Sequence, residues 1–249
     1  MRQVFATNEA QVDPMDLYPA DERTHSDGRP WVMTNMVASV DGAIAIDGLS
    51  GGLGGEGDSL VFRAIRASCD WIVAASGTVR AERYRIPRTS PEVAARRRAA
   101  GRTDAPRLAV VTGSVDLDPD LPLFADRPAD APRALVITGA NPPEAAMARI
   151  GELADWCHLD TERPTPAGIV DALAQRGAEV VLVEGGPSFN GQMVDAGLID
   201  ELCLSISPHL VGGPSPRIVN RSTTTVPADL RLERVLEHES ALFLRYTRA

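Results

Sequence analysis

The polar residues of this sequence that could take part in chemistry are concentrated in three glycine-containing turns. One of them, Glu184-Gly185-Gly186-Pro187-Ser188, follows the apolar run 180–183. Glycines between a buried strand and a helix let backbone amides face an anion, and the positive end of the helix dipole adds to the attraction. A purely architectural turn is an equal alternative, although a tight turn alone explains only one of the two glycines. The pattern indicates a candidate anion-binding turn beside a strand-end carboxylate.

A second turn, Ser76-Gly77-Thr78, follows the apolar run 71–75 and precedes a series of arginines. These arginines are Arg80, Arg83, Arg85 and Arg88. A surface charge run is the ordinary explanation for such a series. Together with a glycine turn at a strand end, however, the arginines favour phosphate recognition, because a guanidinium pairs bidentately with phosphate oxygens.

The third turn is the loop Gly52-Leu53-Gly54-Gly55-Glu56-Gly57, which matches the dinucleotide fingerprint G-x-G-x-x-G. Its context argues against a Rossmann site, because several residues separate it from the preceding strand and no acidic residue closes a following strand at the required distance. We therefore expect a flexible loop whose glycines allow close approach of a ligand. Asp58 follows this loop, and either Asp58 or Ser59 is placed to cap the next helix.

The elements that would position these turns form an α/β fold. Residues 32–40 and 71–75 read as strands on either side of a helix, which is a βαβ unit. Parallel strands place ligands at their carboxyl ends, where all three turns lie. Further strands are predicted at 108–112, 135–138, 156–159, 180–183 and 202–206, with helices at 143–151, 166–177 and 188–196. The strands at 230–236 and 241–247 predict a hairpin on the sheet edge.

Domain organisation is predicted to be simple, with residues 1–30 as a polar, turn-rich arm and residues 31–249 as a single domain. The arm would drape over the body or reach a partner subunit. The segment PEVAARRRAAGR predicts a short surface helix with Arg96, Arg97 and Arg98 on a solvated face. The strand 202–206 alternates apolar residues near the end of the chain, and we expect it to need cover by a partner.

Composition narrows the function classes. The 249 residues carry a net charge of −9, which argues against nucleic acid as a partner. Cys69, Cys157 and Cys203 are far apart and flanked by apolar runs, so we expect buried free thiols rather than a disulfide or zinc site. No apolar run is long enough to span a membrane, and no signal pattern opens the chain, so we expect a cytoplasmic protein.

Five motifs in order carry a family resemblance: NMVASVDGAIA, RAIRAS, ASGTVRAERY, VVTGSVDLDPDLPLF and VEGGPSFNGQMVDAGLIDELCLSISPHLVGG. The chain resembles the pyrimidine reductases of riboflavin biosynthesis, which are related to dihydrofolate reductase. The resemblance implies a dihydrofolate reductase-like, mostly parallel central sheet flanked by helices, NADPH as the cofactor and a homodimer. It also implies hydride transfer that reduces the ribosyl group of a phosphorylated aminopyrimidine to a ribityl chain.

The resemblance further implies roles for individual residues. Ala38 corresponds to a residue at the nicotinamide end of the cofactor, and Thr112 and Ser114 to the turn that holds the adenosine 2′-phosphate. The remaining predicted cofactor contacts are Gly77, Thr78, Glu82, Glu184, Gly185, Gly186 and Pro187. The positions on the substrate side are Asp41, Arg66 and Glu184.

The chain departs from the family pattern in two ways. It lacks the zinc signature of the deaminase that precedes the reductase in bifunctional members, so a reductase alone is expected. It also has Gly54-Gly55-Glu56-Gly57-Asp58 where many members have a Ser-x-Trp segment. Asp58 would therefore face the heterocycle, as the carboxylate of a dihydrofolate reductase does, which leaves a pterin open as an alternative substrate.

Catalysis is expected to rest on alignment and electrostatics rather than on a covalent nucleophile. The predicted proton donor is a water held by Asp58, Asp41 or Asn35. A member that binds NADPH without turnover stays open as an alternative, because fold does not determine function. A Rossmann-type dehydrogenase is the other alternative and would need cofactor phosphates at residues 52–57.

Overall fold

The computed structural model describes residues 1–5, 10–223 and 227–249. Within these ranges eleven strands form one sheet in the order β2-β1-β10-β11-β9-β3-β8-β4-β5-β6-β7. The strands are β1 (Arg2–Phe5), β2 (Ala10–Gln11), β3 (Trp31–Ser39), β4 (Trp71–Ala75), β5 (Arg107–Val111), β6 (Ala134–Thr138), β7 (Ala154–His158), β8 (Val180–Val183), β9 (Glu201–Ser207), β10 (Leu230–His238) and β11 (Ala241–Arg248).

The helices cover the parallel part of the sheet. In chain order they are α1 (Pro14–Leu17), α2 (Glu56–Ala67), α3 (Ser76–Ala81), α4 (Pro91–Ala99), α5 (Pro122–Ala125), α6 (Glu144–Ile150), α7 (Pro166–Ala174) and α8 (Pro187–Asp195), with 3₁₀ turns at Tyr18–Ala20 and Gly151–Leu153. Capping residues in the sequence explain where several of these helices begin. The Ser90 and Thr165 side chains accept hydrogen bonds from the third helical amide of α4 and α7, as N-cap residues do.

Strands β9, β3, β8, β4, β5, β6 and β7 are mutually parallel, whereas β2, β1, β10 and β11 are antiparallel to their neighbours. Two buried hydrophobic clusters lie on the two faces of the parallel part. All four residues of β8 are buried, which is typical of a central parallel strand covered on both sides. The predicted fold class is confirmed.

The antiparallel side differs from expectation in two places. The C-terminal hairpin forms as predicted, but β1 pairs with β10, so the N-terminal strands extend the sheet beyond the hairpin. Strand β9 is half-exposed, as predicted, but it is not near an edge because β3 and β11 pair with its two sides. Because side chains alternate along β9, Cys203, Ser205 and Ser207 are buried. The apolar residues on the other face are half-buried; they are Leu202, Leu204 and Ile206.

The basic helix α4 is only partly the solvated surface that its sequence predicts. Arg96 and Arg98 are exposed and pair with Asp16 and Asp104. Arg97 is buried, and its guanidinium donates to the carbonyl oxygens of Ala67, Cys69 and Thr103 at 2.8–2.9 Å. Arg97 is buried because it lies on the face of α4 that is turned toward the C-terminal end of α2, where carbonyl oxygens without intrahelical donors need partners.

The N-terminal segment packs on the body of its own chain, and residues 6–9 of the predicted arm lie outside the described residues. Tyr18 is fully buried. Arg23 forms a bidentate ion pair with Glu201, in which Nε and Nη2 each donate to one carboxylate oxygen at 2.9 Å. Arg29 pairs with Asp200 in the same region. Ion pairs therefore fix this segment against the start of β9.

The three cysteines are buried free thiols, as predicted. Burial raises the pKa of the Cys69 thiol to about 12, which keeps it protonated and unreactive. Among the described residues, no helix combines the length and apolar character needed to cross a membrane.

Candidate active site

A cleft of about 740 Å³ opens beside the carboxyl ends of β3, β4 and β8. It brings together residues from all three glycine-containing turns and from α2. The predicted site residues that line it are Asn35, Asp58, Arg66, Gly77, Thr78, Glu82, Glu184, Gly186 and Pro187. Residues of all three turns therefore border one cleft at the carboxyl ends of the parallel strands.

A buried ion pair forms one wall of the cleft. Arg66 reaches from the last turn of α2 and donates from Nε and Nη2 to the two carboxylate oxygens of Glu184, each at 2.7 Å. Tyr84 donates its hydroxyl hydrogen to Glu184 Oε2 at 2.7 Å. The Arg66 guanidinium also lies over the Phe62 ring, 4.2 Å from its centroid. The wall is rigid and electrically compensated, because each charge has its partner in place.

The pKa values of this wall follow from burial and from the ion pair. Burial alone would lower the pKa of Arg66, but the adjacent Glu184 carboxylate outweighs that effect and raises it. Burial, followed by the charge of Glu184, raises the pKa of Tyr84 well above its usual value. Tyr84 is therefore a neutral hydrogen-bond donor to the carboxylate at physiological pH.

The turn after β8 needs both of its glycines for structural reasons. Gly185 has a φ of +89°, which side chains rarely adopt, and a Cβ on Gly186 would lie 2.8 Å from Thr78 Oγ1. The backbone of this turn therefore lies directly against the start of α3. Pro187 begins the nine-residue helix α8, whose first amides have no intrahelical acceptors and point toward the turn.

The predicted turn at Ser76-Gly77-Thr78 is instead the first turn of α3, which begins immediately after β4. One turn later, Glu82 accepts two hydrogen bonds from Ser50, one from its amide at 3.0 Å and one from its hydroxyl at 2.9 Å. Glu82 thereby fixes the glycine-rich loop beside the cleft. That loop follows a long connection after β3, so it does not form the tight strand-to-helix turn of a Rossmann site.

Asp58 does not cap α2, which corrects the sequence-based prediction. The helix begins two residues earlier, with Gly55 as its N-cap. The Asp58 side chain instead turns toward the sheet, where Oδ1 accepts a hydrogen bond from the Ser205 hydroxyl at 2.6 Å. Burial raises the pKa of Asp58, and the single bond from Ser205 offsets this in part. No ion pair of Asp58 occurs within the described residues.

Asn35 lies on β3 and also lines the cleft. Its Oδ1 atom is buried and has no hydrogen-bond partner within the part of the chain that the structure describes. An unsatisfied buried acceptor of this kind is destabilising unless a ligand or water donates to it.

Three exposed arginines, Arg83, Arg85 and Arg88, line the cleft, whereas Arg80 is not among its lining residues. Arg80 and Arg85 are engaged with Asp116 and Asp126. Arg83 and Arg88 also line the cleft, but neither side chain forms a hydrogen bond or an ion pair within the described ranges. The arginine series is thus divided between structural pairs and two cations that are available to an anionic ligand.

Besides Gly185, whose neighbours Glu184 and Gly186 line the cleft, four predicted site residues do not line it. Ala38 is buried within β3, and Asp41 accepts hydrogen bonds from the Ser39 hydroxyl and from the amides of Val211 and Gly212. These bonds, first among them the one from Ser39, lower the pKa of Asp41 to about 2. Asp41 therefore joins two loops rather than facing the cleft.

The other two residues outside the cleft are Thr112 and Ser114, which follow β5. Thr112 is buried, and its hydroxyl accepts a hydrogen bond from the Val115 amide at 3.0 Å. Ser114 is exposed at the same turn.

Two residues of the cleft region were missed by sequence reasoning. In the sequence, Tyr84 is only the last residue of the motif ASGTVRAERY, and Ser205 is only one of the polar residues of an alternating strand. The alternation did carry a signal, because a strand whose small polar residues face inward requires partners for them. Asp58 is the partner of Ser205.

Comparison with known proteins gives one family match. The family model described as "RibD C-terminal domain" matches residues 30–242. A relative from the archaeon Methanothermobacter thermautotrophicus, named 2,5-diamino-6-ribosylamino-4(3H)-pyrimidinone 5′-phosphate reductase, is 29% identical over 189 residues. Those residues make up 76% of this chain and 82% of the archaeal protein.

Solved structures show the same fold. A pyrimidine reductase-like protein from Corynebacterium diphtheriae superposes with a TM-score of 0.82 at 24% identity, covering 96% of this chain and 99% of that one. A diaminohydroxyphosphoribosylaminopyrimidine deaminase/5-amino-6-(5-phosphoribosylamino)uracil reductase from Thermotoga maritima gives a TM-score of 0.70 at 18% identity. That match covers 90% of this chain but only 58% of the Thermotoga protein.

Proposed function

Because the chain belongs to the RibD C-terminal domain family, we propose that it reduces the ribosyl group of a phosphorylated 6-ribosylaminopyrimidine to a ribityl chain, with NADPH as the reductant. The protein is an oxidoreductase of riboflavin biosynthesis. One observation carries the proposal. The residues that converge on the cleft, from Asn35 to Arg88 and from Glu184 to Pro187, all lie inside the range that the family model matches.

The residues around the cleft fit NADPH. The glycine turn 185–186 leads directly into α8, whose first backbone amides receive no side-chain cap, and amides of this kind at a helix N-terminus suit a pyrophosphate. Thr78 borders the same turn, and Glu82 holds the glycine-rich loop beside it. The exposed Ser114, at the turn that the buried Thr112 stabilises, would hold the 2′-phosphate. When bound, NADPH supplies the hydride.

Other residues of the cleft suit the phosphorylated substrate. Arg83 and Arg88 are exposed cations that form no hydrogen bond or ion pair with the residues that the structure describes, and an arginine binds phosphate through two parallel hydrogen bonds. The Arg66–Glu184 pair is already satisfied, so its role is to present a fixed polar wall. Asp58 and Asn35 supply acceptors that would orient the heterocycle.

A homodimer is part of the proposal. Leu202, Leu204 and Ile206 are half-buried on one face of β9, and Leu242 of the adjacent β11 is 37% exposed. An apolar sheet face of this kind requires cover by another surface. A second copy of the chain would provide it, and light scattering at micromolar concentration should give the mass of a dimer.

The test is an assay of NADPH consumption with 2,5-diamino-6-ribosylamino-4(3H)-pyrimidinone 5′-phosphate as the substrate. Mass spectrometry should show a product that has gained two hydrogens. NADPH should bind about 10- to 100-fold more tightly than NADH, since each charge-assisted hydrogen bond to the extra phosphate contributes roughly 1.5–3 kcal/mol. Equal affinities would argue against the 2′-phosphate site.

Two alternative functions give different results in the same assay. A pterin reductase would consume NADPH with a dihydropterin and leave the pyrimidine unchanged. A non-catalytic NADPH-binding protein would bind the cofactor and consume it with neither substrate.

A further inference from the structure

A long connection between β9 and β10 lies beside the cleft. The structure describes residues 208–223 and 227–229 of this connection, and none of these residues belongs to a helix or a strand. Irregular loops of more than about 12–15 residues are uncommon in compact domains, and those that occur include lids over active sites. We call residues 211–222 the strap, because their contacts reach both sides of the cleft.

One end of the strap is bound to the loop that follows β3. The amides of Val211 and Gly212 donate to the Asp41 carboxylate at 3.2 and 2.7 Å. Further along the strap, the hydroxyl oxygen of Ser215 accepts a hydrogen bond from the amide of Ile44 at 3.0 Å. Ile44 itself lines the cleft, so this wall of the cleft is the first anchor of the strap.

The other end of the strap lies on α8. Asn190 donates from Nδ2 to the carbonyl oxygen of Ile218 at 2.9 Å. The amide of Asn220 donates to the carbonyl oxygen of Pro187, the first residue of the helix, at 3.0 Å. A Cβ on Gly191 would lie 2.1 Å from the carbonyl oxygen of Asn220, so the strap approaches α8 more closely than a side chain there would allow. Helix α8 is therefore the second anchor.

Between these two anchors the strap borders the cleft. Pro216 is exposed and lines the cleft. In the chain it lies between Ser215, which is bound to one wall, and Ile218, which is bound to the other. Pro187 lines the cleft at the second anchor, where the proposed function places the pyrophosphate of the cofactor. The strap thus links the two walls of the cleft at the proposed cofactor site.

The two anchors differ in how they would respond to movement. Gly212 and Gly213 are consecutive residues with φ of +67° and +71°, and small residues at the end of a loop are typical hinge positions. The bonds to Asp41 lie before Gly213, so a rotation at this pair leaves them in place. The bonds at Ser215 and Asn190 lie beyond the hinge and break when the strap lifts.

Asn190 is placed to hold the strap closed. Its side chain is only 2% exposed, so bulk water does not compete for its bond to Ile218. Its Nδ2 atom also contacts Met36 Sδ at 3.3 Å, which fixes the side chain independently of the strap.

We propose that the strap is a gate on the cofactor site. It opens at Gly212 and Gly213 to admit or release the nicotinamide dinucleotide, and Asn190 is the positioning residue that holds it closed. The inference rests on the proposed reductase function and adds to it a control over the rate of cofactor exchange.

Stopped-flow measurement of NADPH binding to the full chain tests the gate, with the fluorescence of the cofactor as the signal. Because the strap must open before the cofactor enters, the observed binding rate of the wild type should reach a plateau at high NADPH concentration. The plateau is the rate at which the strap opens.

Two variants each remove one bond that holds the strap closed. In Asn190→Ala and in Ser215→Ala, the plateau and the dissociation rate of NADPH should both rise about fivefold, as expected for the loss of one hydrogen bond. The Kd of NADPH should change by less than about twofold, because opening speeds entry and release alike. Ser215 is half-buried, so Ser215→Ala supplies the test even if the buried Asn190→Ala folds poorly.

A matched control separates the gate from a general loss of stability. Ser90→Ala also removes a single hydroxyl hydrogen bond, at the N-cap of α4, and Ser90 does not line the cleft. This variant should lower the Tm and leave the plateau and the dissociation rate at their wild-type values.

The possible outcomes are distinct. A wild-type binding rate that rises linearly with NADPH concentration, or an unchanged plateau in Ser215→Ala, would overturn the gate and leave the reductase function intact. A weaker Kd with an unchanged plateau in Asn190→Ala would overturn its positioning role, because Asn190 would then only shape the site. Absence of NADPH binding to the wild type would overturn the proposed cofactor and the gate together.

Discussion

Glu184 comes directly after β8 and lines the cleft, whereas Glu201 begins β9, two strands away in the sheet, beneath the N-terminal segment. Both are buried carboxylates held by arginine. Glu184 has one arginine and the Tyr84 hydroxyl. Glu201 is fully buried and has both Arg23 and Arg245. A buried ion pair alone therefore does not identify a candidate functional site. What distinguishes Glu184 from Glu201 is that Glu184 borders a cleft.

The two sites also differ in how they would respond to the loss of one charge. At Glu201, two buried guanidiniums share a carboxylate that no solvent reaches, and each also contacts the partly exposed Asp21 at 3.3 Å. At Glu184, the Arg66 side chain is 27% exposed, so water can replace part of a lost interaction. We therefore expect Glu201 to govern stability and Glu184 to govern activity.

The largest expected effect is on the stability of Glu201→Gln. This change leaves the two buried arginines Arg23 and Arg245 with Asp21 as their one shared carboxylate partner, which destabilises by about 3 kcal/mol. Urea unfolding should show this loss, and Glu184→Gln should lose clearly less. If Glu184→Gln were the less stable of the two variants, the distinction between the sites would fail.

The pH dependence of unfolding gives a second, slightly smaller effect. Burial opposes ionisation of Glu201, but Arg23 and Arg245 outweigh it and lower its pKa from 4.5 to about 2. Because the folded pKa is the lower one, this stabilisation is complete above pH 4.5 and is lost as the pH falls toward 2. Its size is on the order of 3 kcal/mol.

Unfolding curves at several acidic pH values check this expectation. The stability gap between the wild type and Glu201→Gln should narrow as the pH falls through that window. A gap of constant size would contradict the pKa shift as its source.

These contrasts also show what a single sequence can reveal. The run 180–183 followed by Glu184 and two glycines is a local pattern, and it predicted both the central strand and its site. Glu201 carried no such pattern, because its partners Arg23 and Arg245 lie 178 and 44 residues away in the chain. Long-range pairings of this kind depend on tertiary packing that a single sequence does not specify.

Asp41 and Asp58 illustrate the same limit at the site. Both were expected near the cleft because each follows or borders a strand-end turn. Asp58 lines the cleft, but through a bond to Ser205, 147 residues away. Asp41 is occupied by the loop at Val211 and Gly212, 170 and 171 residues away. Local position identifies the candidates, and distant partners decide which of them lines the cleft.

A third prediction concerns activity. Glu184→Gln should lower kcat/KM by about 10- to 100-fold, because it removes the carboxylate that orients Arg66 and Tyr84 in the cleft wall. Glu201→Gln, assayed well below its Tm, should keep kcat/KM close to the wild-type value. A comparable loss of activity in the two variants would show that the N-terminal network also influences the cleft.

The smallest expected effect is the loss of stability when one uncharged hydrogen-bond donor is removed from each glutamate. Tyr84→Phe removes the hydroxyl that donates to Glu184, and Trp31→Phe removes the indole N–H that donates to Glu201 at 3.1 Å. A hydrogen bond to a buried charged group contributes roughly 1.5–3 kcal/mol. Beside the cleft, a water can take the place of the Tyr84 hydroxyl, so we expect Tyr84→Phe to lose less than about 1 kcal/mol. Trp31→Phe should lose more stability, because Glu201 is inaccessible to water and the smaller ring also leaves unfilled space.

Urea unfolding of the two variants measures the difference in stability, and kcat/KM should fall only in Tyr84→Phe. A larger loss of stability in Tyr84→Phe would mean that the cleft wall is as closed to solvent as the N-terminal network, and the two glutamates would then differ in position alone.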